Sequence, residues 1–197
     1  MAYLYSMQAL IDYLNGFGPV SEANMAFLIQ YIEEKTLKKG EHLINLGQPV
    51  NSMYCIEEGY VHCFALNEEG ERLTRRIEGP ISCWTVLESF YDLEPSPVEC
   101  IALSPVKYFE LSRAGYDAIK AENEELNGLI SRITERLLSD KLIATMKFTS
   151  MTPEERYLDM VENQPDVVKV APVQALASFM GISRETLHRI RRKLITS

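Results

Sequence analysis

Two arginines and a glutamate near the C-terminus, Arg184, Arg189 and Glu185, have side chains that can read the edges of DNA bases. A guanidinium group can donate two parallel hydrogen bonds to guanine, and a carboxylate can accept one from the amino group of cytosine. Apolar residues of the same stretch recur at spacings of three and four: Leu187, Ile190 and Leu194. A helix here would therefore bury one face and present its charged side chains on the other.

The residues before this helix predict a helix-turn-helix. Residues 173–180 have apolar positions at helical spacing, and Gly181 suits a left-handed turn. The small Ala177 lies four residues before that glycine, where a second helix can cross closely, and Ser183 has the side chain of an N-cap. The alternative is an amphipathic helix whose arginines only maintain solubility. Because the turn, the cap and the buried positions agree with one another, we favour DNA binding.

The run Gly-Ile-Ser-Arg-Glu-Thr-Leu-His-Arg-Ile, residues 181–190, closely resembles the recognition helix of the Crp/Fnr family of bacterial transcription regulators. This resemblance implies base contacts by Arg184, Glu185 and Arg189. It also implies phosphate contacts by Gln174, Ser183 and Thr186. We assign Arg192, on the same charged face, to phosphate as well. The resemblance implies no DNA contact for His188.

Composition and charge fit a protein with an acidic body and a small basic face. The chain has 197 residues, 46% of them hydrophobic, and a formal net charge of −8. Residues 184–193, however, contain five Lys or Arg against one Asp or Glu. No apolar run is long enough to span a bilayer and no secretory signal precedes the first helix, so we expect a cytoplasmic protein without a membrane partner.

The four cysteines have no spacing typical of a metal site: Cys55, Cys63, Cys83 and Cys100. We therefore expect free buried thiols, no metal site and no cofactor. A haem-based sensor would need an axial ligand such as histidine, but His42 and His62 lie in strand-like runs, where a structural histidine is the more ordinary interpretation.

The region between residues 36 and 111 predicts a small all-β unit, preceded by two short helices that are separated by Gly16–Pro19. Turn signals recur about every ten residues, at Gly40, Gly47, Gly59, Gly70 and Gly79-Pro80. The order of these motifs also resembles the cyclic-nucleotide-binding-like β-roll, a jelly roll, of Crp/Fnr proteins. The fold class is thus α+β, with the domains expected at 1–115 (β-roll with N-terminal helices), 116–148 (long dimerisation helix) and 149–197 (helix-turn-helix).

The segment 116–148 reads as one helix with a narrow apolar stripe. Four residues alternate steps of four and three: Leu126, Ile130, Ile133 and Leu137. Such a stripe predicts a two-fold seam with a partner helix. The alternative is that this helix covers its own β-roll.

The β-roll lacks the residues that hold a cyclic nucleotide in relatives. In those proteins a Gly-Glu pair and an Arg-Ser pair bind the phosphate, but alignment on Phe90 places Val86-Leu87 and Ser96-Pro97 at the corresponding positions. Without the arginine, the charge of the phosphate has no bidentate partner in this stretch. We therefore expect no control by cyclic AMP. Three aromatic residues are candidates for a different effector pocket, although ordinary core is the simpler interpretation: Trp84, Phe90 and Tyr91.

The sequence is thus interpreted as a homodimeric transcription regulator that binds an inverted repeat in double-stranded DNA, with RNA polymerase as a further partner and an effector that the sequence does not identify. The alternative is a ligand-binding regulatory module that acts on a protein partner. An enzyme would have to use acidic residues beside turns: Glu57, Glu58, Glu68 and Glu69. No nucleophile motif accompanies them, so no catalytic residue is assigned.

Overall fold

The computed structural model describes residues 7–196 of the chain. It begins with two short helices, α1 (Gln8–Asn15) and α2 (Glu22–Ile29), as the sequence predicts. Ser21 caps α2 by accepting a hydrogen bond from the backbone N–H of Asn24 at 3.1 Å. Ile32, which fits the helical spacing of this region, instead starts the first strand. No described helix is both long and apolar enough to cross a bilayer.

Eight strands form the predicted all-β unit. Their bounds are β1 Ile32–Leu37, β2 His42–Ile44, β3 Ser52–Glu58, β4 Val61–Leu66, β5 Arg72–Glu78, β6 Ser82–Trp84, β7 Glu99–Ala102 and β8 Val106–Ser112. The strands make two antiparallel four-stranded sheets, in the orders β1-β8-β3-β6 and β2-β7-β4-β5. A short helix, α3 (Leu87–Asp92), connects β6 to β7.

Alternating residues of the first sheet supply two different cores. Tyr54 and Ile56 of β3 point between the sheets, where they pack with buried residues such as Trp84. Met53 and Cys55 point the other way, toward a core shared with the helices. Because both faces of the sheet are covered at β3, this strand is apolar on both sides from Met53 to Ile56.

The turn at Gly59 requires glycine for two reasons. Its φ is +87°, and a Cβ atom there would lie 2.1 Å from the carbonyl oxygen of Pro105. Gly40, Gly47 and Gly70 also have positive φ. At the Gly79-Pro80 turn, the left-handed residue is instead Ile81, with φ +61°.

The predicted single helix over 116–148 is wrong, because the structure has two helices there. They are α4 (Arg113–Glu122) and α5 (Glu124–Ser150), and they are separated by Asn123 in an extended conformation. The Asn123 side chain accepts a hydrogen bond from the backbone N–H of Leu126 at 3.0 Å, so this residue starts a new helix.

Four helices follow α5: α6 (Pro153–Asn163), α7 (Pro165–Val170), α8 (Val173–Phe179) and α9 (Arg184–Thr196). Thr152 and Glu155 form a capping box at the start of α6, with Pro153 in the first turn.

The expectation of free thiols is wrong. Cys55 is bonded to Cys83, and Cys63 is bonded to Cys100. Each pair lies directly opposite in neighbouring antiparallel strands, β3 with β6 and β4 with β7. The bonding partners depend on strand register, which the spacing of cysteines along the chain does not specify.

Candidate nucleic-acid interface

The turn between α8 and α9 has the predicted left-handed geometry. Gly181 has φ +68°, and its N–H donates to the carbonyl of Ser178 at 3.0 Å. Ile182 N–H donates to the carbonyl of Ala177 at 3.0 Å, which closes the end of α8. A Cβ atom on Gly181 would also lie 3.0 Å from the ring of Phe148, so a side chain there would require this ring to shift.

Ser183 is the predicted N-cap of α9. Its Oγ accepts a hydrogen bond from the backbone N–H of Thr186 at 3.2 Å and lies 3.1 Å from the Thr186 hydroxyl. This cap satisfies one of the otherwise unpaired N–H groups in the first turn of the helix.

The apolar sides of α8 and α9 pack against each other and against α6. Leu176 and Leu187 have no exposed surface, and Ile190 is 7% exposed. Met160 of α6 belongs to the same core. Burial of this face fixes which side of α9 meets the solvent.

The residues predicted to contact DNA lie on the solvent-facing surface of α8 and α9. Six are exposed and one, Thr186, is half-buried; the exposed ones are Gln174, Ser183, Arg184, Glu185, Arg189 and Arg192. On α9, the four charged members follow offsets of one, five and eight residues from Arg184, so they share one side of the helix.

Glu185 is held in its ionised form. Its own backbone N–H, and after that the Ser183 side chain, lower the pKa of its carboxyl below the usual value. An ionised carboxylate only accepts hydrogen bonds, which is what an exposed cytosine amino group requires.

Arg156 of α6 is a positioning residue that the sequence patterns do not reveal. Its guanidinium donates to three carbonyl groups, those of Phe148, Met151 and Met180, at 2.5, 3.0 and 2.9 Å. It also lies over the Phe148 ring, 4.2 Å from the centroid. One side chain therefore joins the end of α5, the start of α6 and the end of α8.

A second contact joins α8 to the β-roll. Ser178 Oγ accepts from the backbone N–H of Thr74 at 2.9 Å and donates to the carbonyl of Arg72 at 3.1 Å. Both partners belong to β5, the edge strand of the second sheet. The serine hydroxyl thus occupies the position that a neighbouring strand would take.

The two histidines of the β-roll have structural partners. His62 is 4% exposed and its Nε2 lies 2.9 Å from the Thr74 hydroxyl. Burial, and after that the charge of Arg72, lower its pKa to about 4. His42 pairs with Glu99 at 2.9 Å. Within residues 7–196, no cluster of three His, Cys, Asp or Glu side chains is placed to hold a metal ion.

The segment formed by α3 and the loop after it uses its hydroxyl groups locally. Ser89 Oγ accepts from the backbone N–H of Val50 at 2.8 Å and donates to the carbonyl of Glu94 at 2.6 Å. Ser96 is 2% exposed and donates to the carbonyl of Val98 at 2.8 Å. Neither hydroxyl is left to bind a phosphate.

The three aromatic residues proposed for an effector pocket have different environments. Trp84 lines an apolar cavity of about 80 Å³ between the first sheet and α5. Phe90 is fully buried and packs edge-on against Tyr91 and Tyr116, and Tyr91 is 38% exposed. The core interpretation therefore describes Phe90 and also Trp84, which is 3% exposed and packs in the core between the sheets.

The four residues of the predicted seam lie against their own chain. Leu126 is 2% exposed and belongs to the core beneath the first sheet, so its assignment to a partner-facing seam is wrong. Ile130 and Ile133 are half-buried against that same core, and Leu137 is half-buried against the core between the sheets. The alternative, a helix that covers its own β-roll, describes this half of α5.

The C-terminal half of α5 carries a different apolar stripe, which is solvent-exposed in the single chain. Leu138, Leu142 and Met146 follow one another at intervals of four residues and are 50%, 62% and 62% exposed. Ile143 is also half exposed, at 50%.

The acidic residues considered for an enzyme do not converge. Glu57 forms an ion pair with Lys107 at 2.7 Å, whereas Glu58, Glu68 and Glu69 are exposed beside turns.

The chain is similar to a known domain family and to a curated transcriptional activator. Residues 34–123 match the model of the cyclic nucleotide-binding domain. The transcriptional activator protein Anr of Pseudomonas protegens is 23% identical over 167 residues, covering 79% of this chain and 68% of that protein.

Two solved structures illustrate the shared fold. FixK2 from Bradyrhizobium japonicum matches with a TM-score of 0.70 and 14% identity, over 84% of this chain and 85% of that one. The catabolite activator protein of Thermus thermophilus matches with a TM-score of 0.56 and 19% identity, over 93% and 87%.

Proposed function

We propose that this protein is a sequence-specific, DNA-binding transcription regulator of the Crp/Fnr type. Its match to the cyclic nucleotide-binding domain and its homology to Anr support this proposal. The main support is the exposed set Arg184, Glu185 and Arg189 on α9, a capped helix whose other face is buried. A helix entering the major groove end-on would place these three side chains at neighbouring base pairs, two as guanine readers and one as a cytosine acceptor. Phosphate contacts would come from Gln174, Ser183, Thr186 and Arg192.

The functional unit is a homodimer that recognises an inverted repeat. The exposed stripe Leu138, Leu142 and Met146 supports this assembly, because a 4-residue spacing on the surface of a long helix suits a second copy of the same helix. Two recognition helices related by two-fold symmetry would read half-sites about one helical turn apart, or about 34 Å.

Control of this regulator does not depend on cyclic AMP. The segment around α3 supplies neither the glycine nor the arginine of the phosphate site, and its serine hydroxyls are bonded to the local backbone. Calorimetric titration with cyclic AMP or cyclic GMP should therefore show no saturable binding. Micromolar affinity for either nucleotide would contradict this part of the proposal.

The test of DNA recognition is selection from random duplexes, first with the wild type and then with Glu185→Ala. We expect a palindromic sequence with G·C pairs in each half-site. The substitution should relax the preference at one base pair and weaken binding to the best site by about 1–3 kcal/mol. Glu162→Ala, which removes an exposed carboxylate from α6, is the matched control and should leave the selected sequence unchanged.

Arg192→Ala tests the phosphate assignment separately. It should weaken binding to all sequences alike and reduce the slope of log affinity against log salt by about one. RNA polymerase would be the partner through which the bound dimer activates or represses.

A protein partner in place of DNA is the second candidate function. It would gain support if no palindromic sequence emerged from the selection, or if Glu185→Ala left the selected sequence unchanged.

A further inference from the structure

The two disulfides of the β-roll join different kinds of strand. Cys63–Cys100 links β4 to β7, and each of these strands has a neighbouring strand on both sides. Cys55–Cys83 links β3 to β6, which is an edge strand of the first sheet and has only 3 residues. One bond therefore lies within a sheet, whereas the other attaches a short edge strand.

The surroundings of the two bonds also differ. Cys63 and Cys100 are 2% and 0% exposed and belong to the core between the sheets. Cys83 is 8% exposed and Cys55 is half-buried, on the other face of the first sheet. A thiolate can exchange with a disulfide only if it reaches one of the two sulfurs, so access favours reaction at Cys55–Cys83.

The sulfurs of Cys55 and Cys83 have space in which to separate. Two thiols in contact lie farther apart than two bonded sulfurs, so a densely packed core resists the reduction of a disulfide. Both residues border the apolar cavity of about 80 Å³, which can take up this change in volume. Neutral thiols behave as small hydrophobic groups and suit an apolar lining.

The backbone beside β6 is held in a strained conformation. Ile81, the residue before this strand, has φ +61°, a left-handed conformation that a β-branched residue rarely adopts. Such a conformation persists only where its surroundings impose it. One constraint is the hydrogen bond from the Ile81 N–H to the carbonyl of Ile56 at 2.9 Å, and another is the covalent bond at Cys83. Opening that bond removes one constraint and leaves β6 paired with β3.

We propose that Cys55–Cys83 is a reversible redox site that reacts with small dithiols and disulfides, and that Cys63–Cys100 is a permanent cross-link. A thiolate of the dithiol attacks the sulfur of Cys55, forms a mixed disulfide with it and releases Cys83 as a thiolate, which takes up a proton. The second thiol of the reductant then closes a cyclic disulfide and releases Cys55. Two electrons pass from the dithiol to the protein.

The reverse reaction needs a small disulfide as the oxidant. Cys55 and Cys83 stay opposite each other in the paired strands after reduction, so a mixed disulfide on one of them can be displaced by the other. The bond then forms again and tightens β6 on β3.

This exchange chemistry belongs to the β-roll and does not depend on DNA binding. Its regulatory use rests on the proposed function, because a transcription regulator works in a compartment whose thiols are kept reduced. Disulfides in such a compartment are transient and serve catalysis or redox sensing.

Differential alkylation of the folded wild type tests the site. The protein is incubated with dithiothreitol, samples are quenched with N-ethylmaleimide at intervals, and each cysteine is followed by peptide mass spectrometry. We expect Cys55 and Cys83 to be labelled together and about tenfold faster than Cys63 and Cys100. In urea all four should be labelled alike, which controls for intrinsic reactivity. Glutathione disulfide, added after removal of the dithiothreitol, should protect Cys55 and Cys83 again.

Hydrogen–deuterium exchange on a peptide that contains β6 measures the structural effect. Reduction of the wild type should accelerate exchange there by about fivefold. Cys83→Ser should exchange at this faster rate with or without dithiothreitol. Cys100→Ser, the matched control from the other pair, retains Cys55–Cys83 and should respond to dithiothreitol as the wild type does. If either variant fails to fold, the alkylation of the wild type decides alone.

Equal labelling of all four cysteines in the folded chain overturns the proposal, and so does faster labelling of Cys63 and Cys100. Failure of glutathione disulfide to restore protection refutes the reversibility. Selection of DNA is a separate test: if no sequence is selected, the proposed function fails and the redox site stands on its labelling. Equal labelling refutes the redox site and leaves the proposed function intact.

Discussion

His62 makes the stability of the β-roll depend on pH. Its pKa is about 4 in the folded chain, because the ring is buried beside Thr74 and near Arg72, against an ordinary value of 6.5. The unfolded chain therefore binds the extra proton first, and stability falls as the pH drops below about 6.5 toward 4. Between pH 7 and pH 5 the expected loss from this residue is about 2 kcal/mol.

Urea unfolding at pH 7 and pH 5 measures that loss. The wild type should lose about 2 kcal/mol more than His62→Gln over this interval, because glutamine does not titrate. His188→Gln, at an exposed position of α9, should retain the wild-type pH dependence. Equal pH dependence in the wild type and His62→Gln would show that the buried ring is not the cause.

Single residues with a local conformational role were the most predictable from the sequence. Gly181, Ser183 and Thr152 act through hydrogen bonds within four residues of the chain, and each has the geometry that its type indicates. The cysteine pairs and Arg156 could not be predicted in this way. Their partners are brought together by strand register and by the crossing of helices, which local spacing does not encode.

Arg156 determines how α6 and α8 are attached to the end of α5. Arg156→Ala removes three hydrogen bonds to carbonyl groups and the contact with Phe148. We expect a loss of about 2 kcal/mol or more in the free energy of unfolding, since bonds from charged donors are among the stronger ones. DNA affinity should fall as well, because the position of α8 is less fixed.

Chemical denaturation and DNA titration of Arg156→Ala provide the measurement. The control is Arg136→Ala, at an exposed arginine of α5 whose partner Asp140 is also exposed. This substitution should cost less than about 0.5 kcal/mol. Similar losses in both variants would mean that Arg156 has no special role at the junction.

The exposed stripe Leu138, Leu142 and Met146 of α5 provides the test of dimerisation. Leu142→Lys places a charge in the centre of the stripe, where it would meet its symmetry mate, so the chain should sediment as a monomer. Leu158→Lys changes a leucine of α6 that is 43% exposed, and should leave a dimer. A wild type that is already monomeric at micromolar concentration would contradict the proposed assembly.

The predicted dimer seam was assigned to the wrong residues because α5 has apolar residues on two sides. Sequence spacing finds Leu126, Ile130, Ile133 and Leu137 but does not say whether a partner or the chain's own β-roll covers them. The break at Asn123 was missed because the apolar spacing continues across it from Ile119 to Leu126, although asparagine is a preferred N-cap.

The contact of Ser178 with β5 holds the C-terminal helices against the β-roll. Ser178→Ala removes the acceptor of the Thr74 N–H, so this amide should exchange its hydrogen faster. About 1 kcal/mol for one hydrogen bond corresponds to roughly a fivefold faster exchange. Hydrogen–deuterium exchange with mass spectrometry measures this change on a peptide that contains Thr74.

Ser131→Ala is the control for that experiment. Its hydroxyl bonds only to the carbonyl of Asn127 in its own helix, so exchange in β5 should stay as in the wild type. Unchanged exchange at Thr74 in Ser178→Ala would show that the contact is not maintained in solution.

The position of Ser178 also covers part of a sheet edge at which copies of this protein could associate. β5 is an edge strand, and an uncovered edge presents N–H and C=O groups on which a strand of another molecule can add. The hydroxyl of Ser178 occupies two of these groups, and β5 carries Arg72, Arg75 and Arg76. If α8 moved away from the β-roll, this edge would be uncovered, and the positive charge of Arg72 and Arg75 would then oppose intermolecular β-sheet growth, since Arg76 is paired with Glu78.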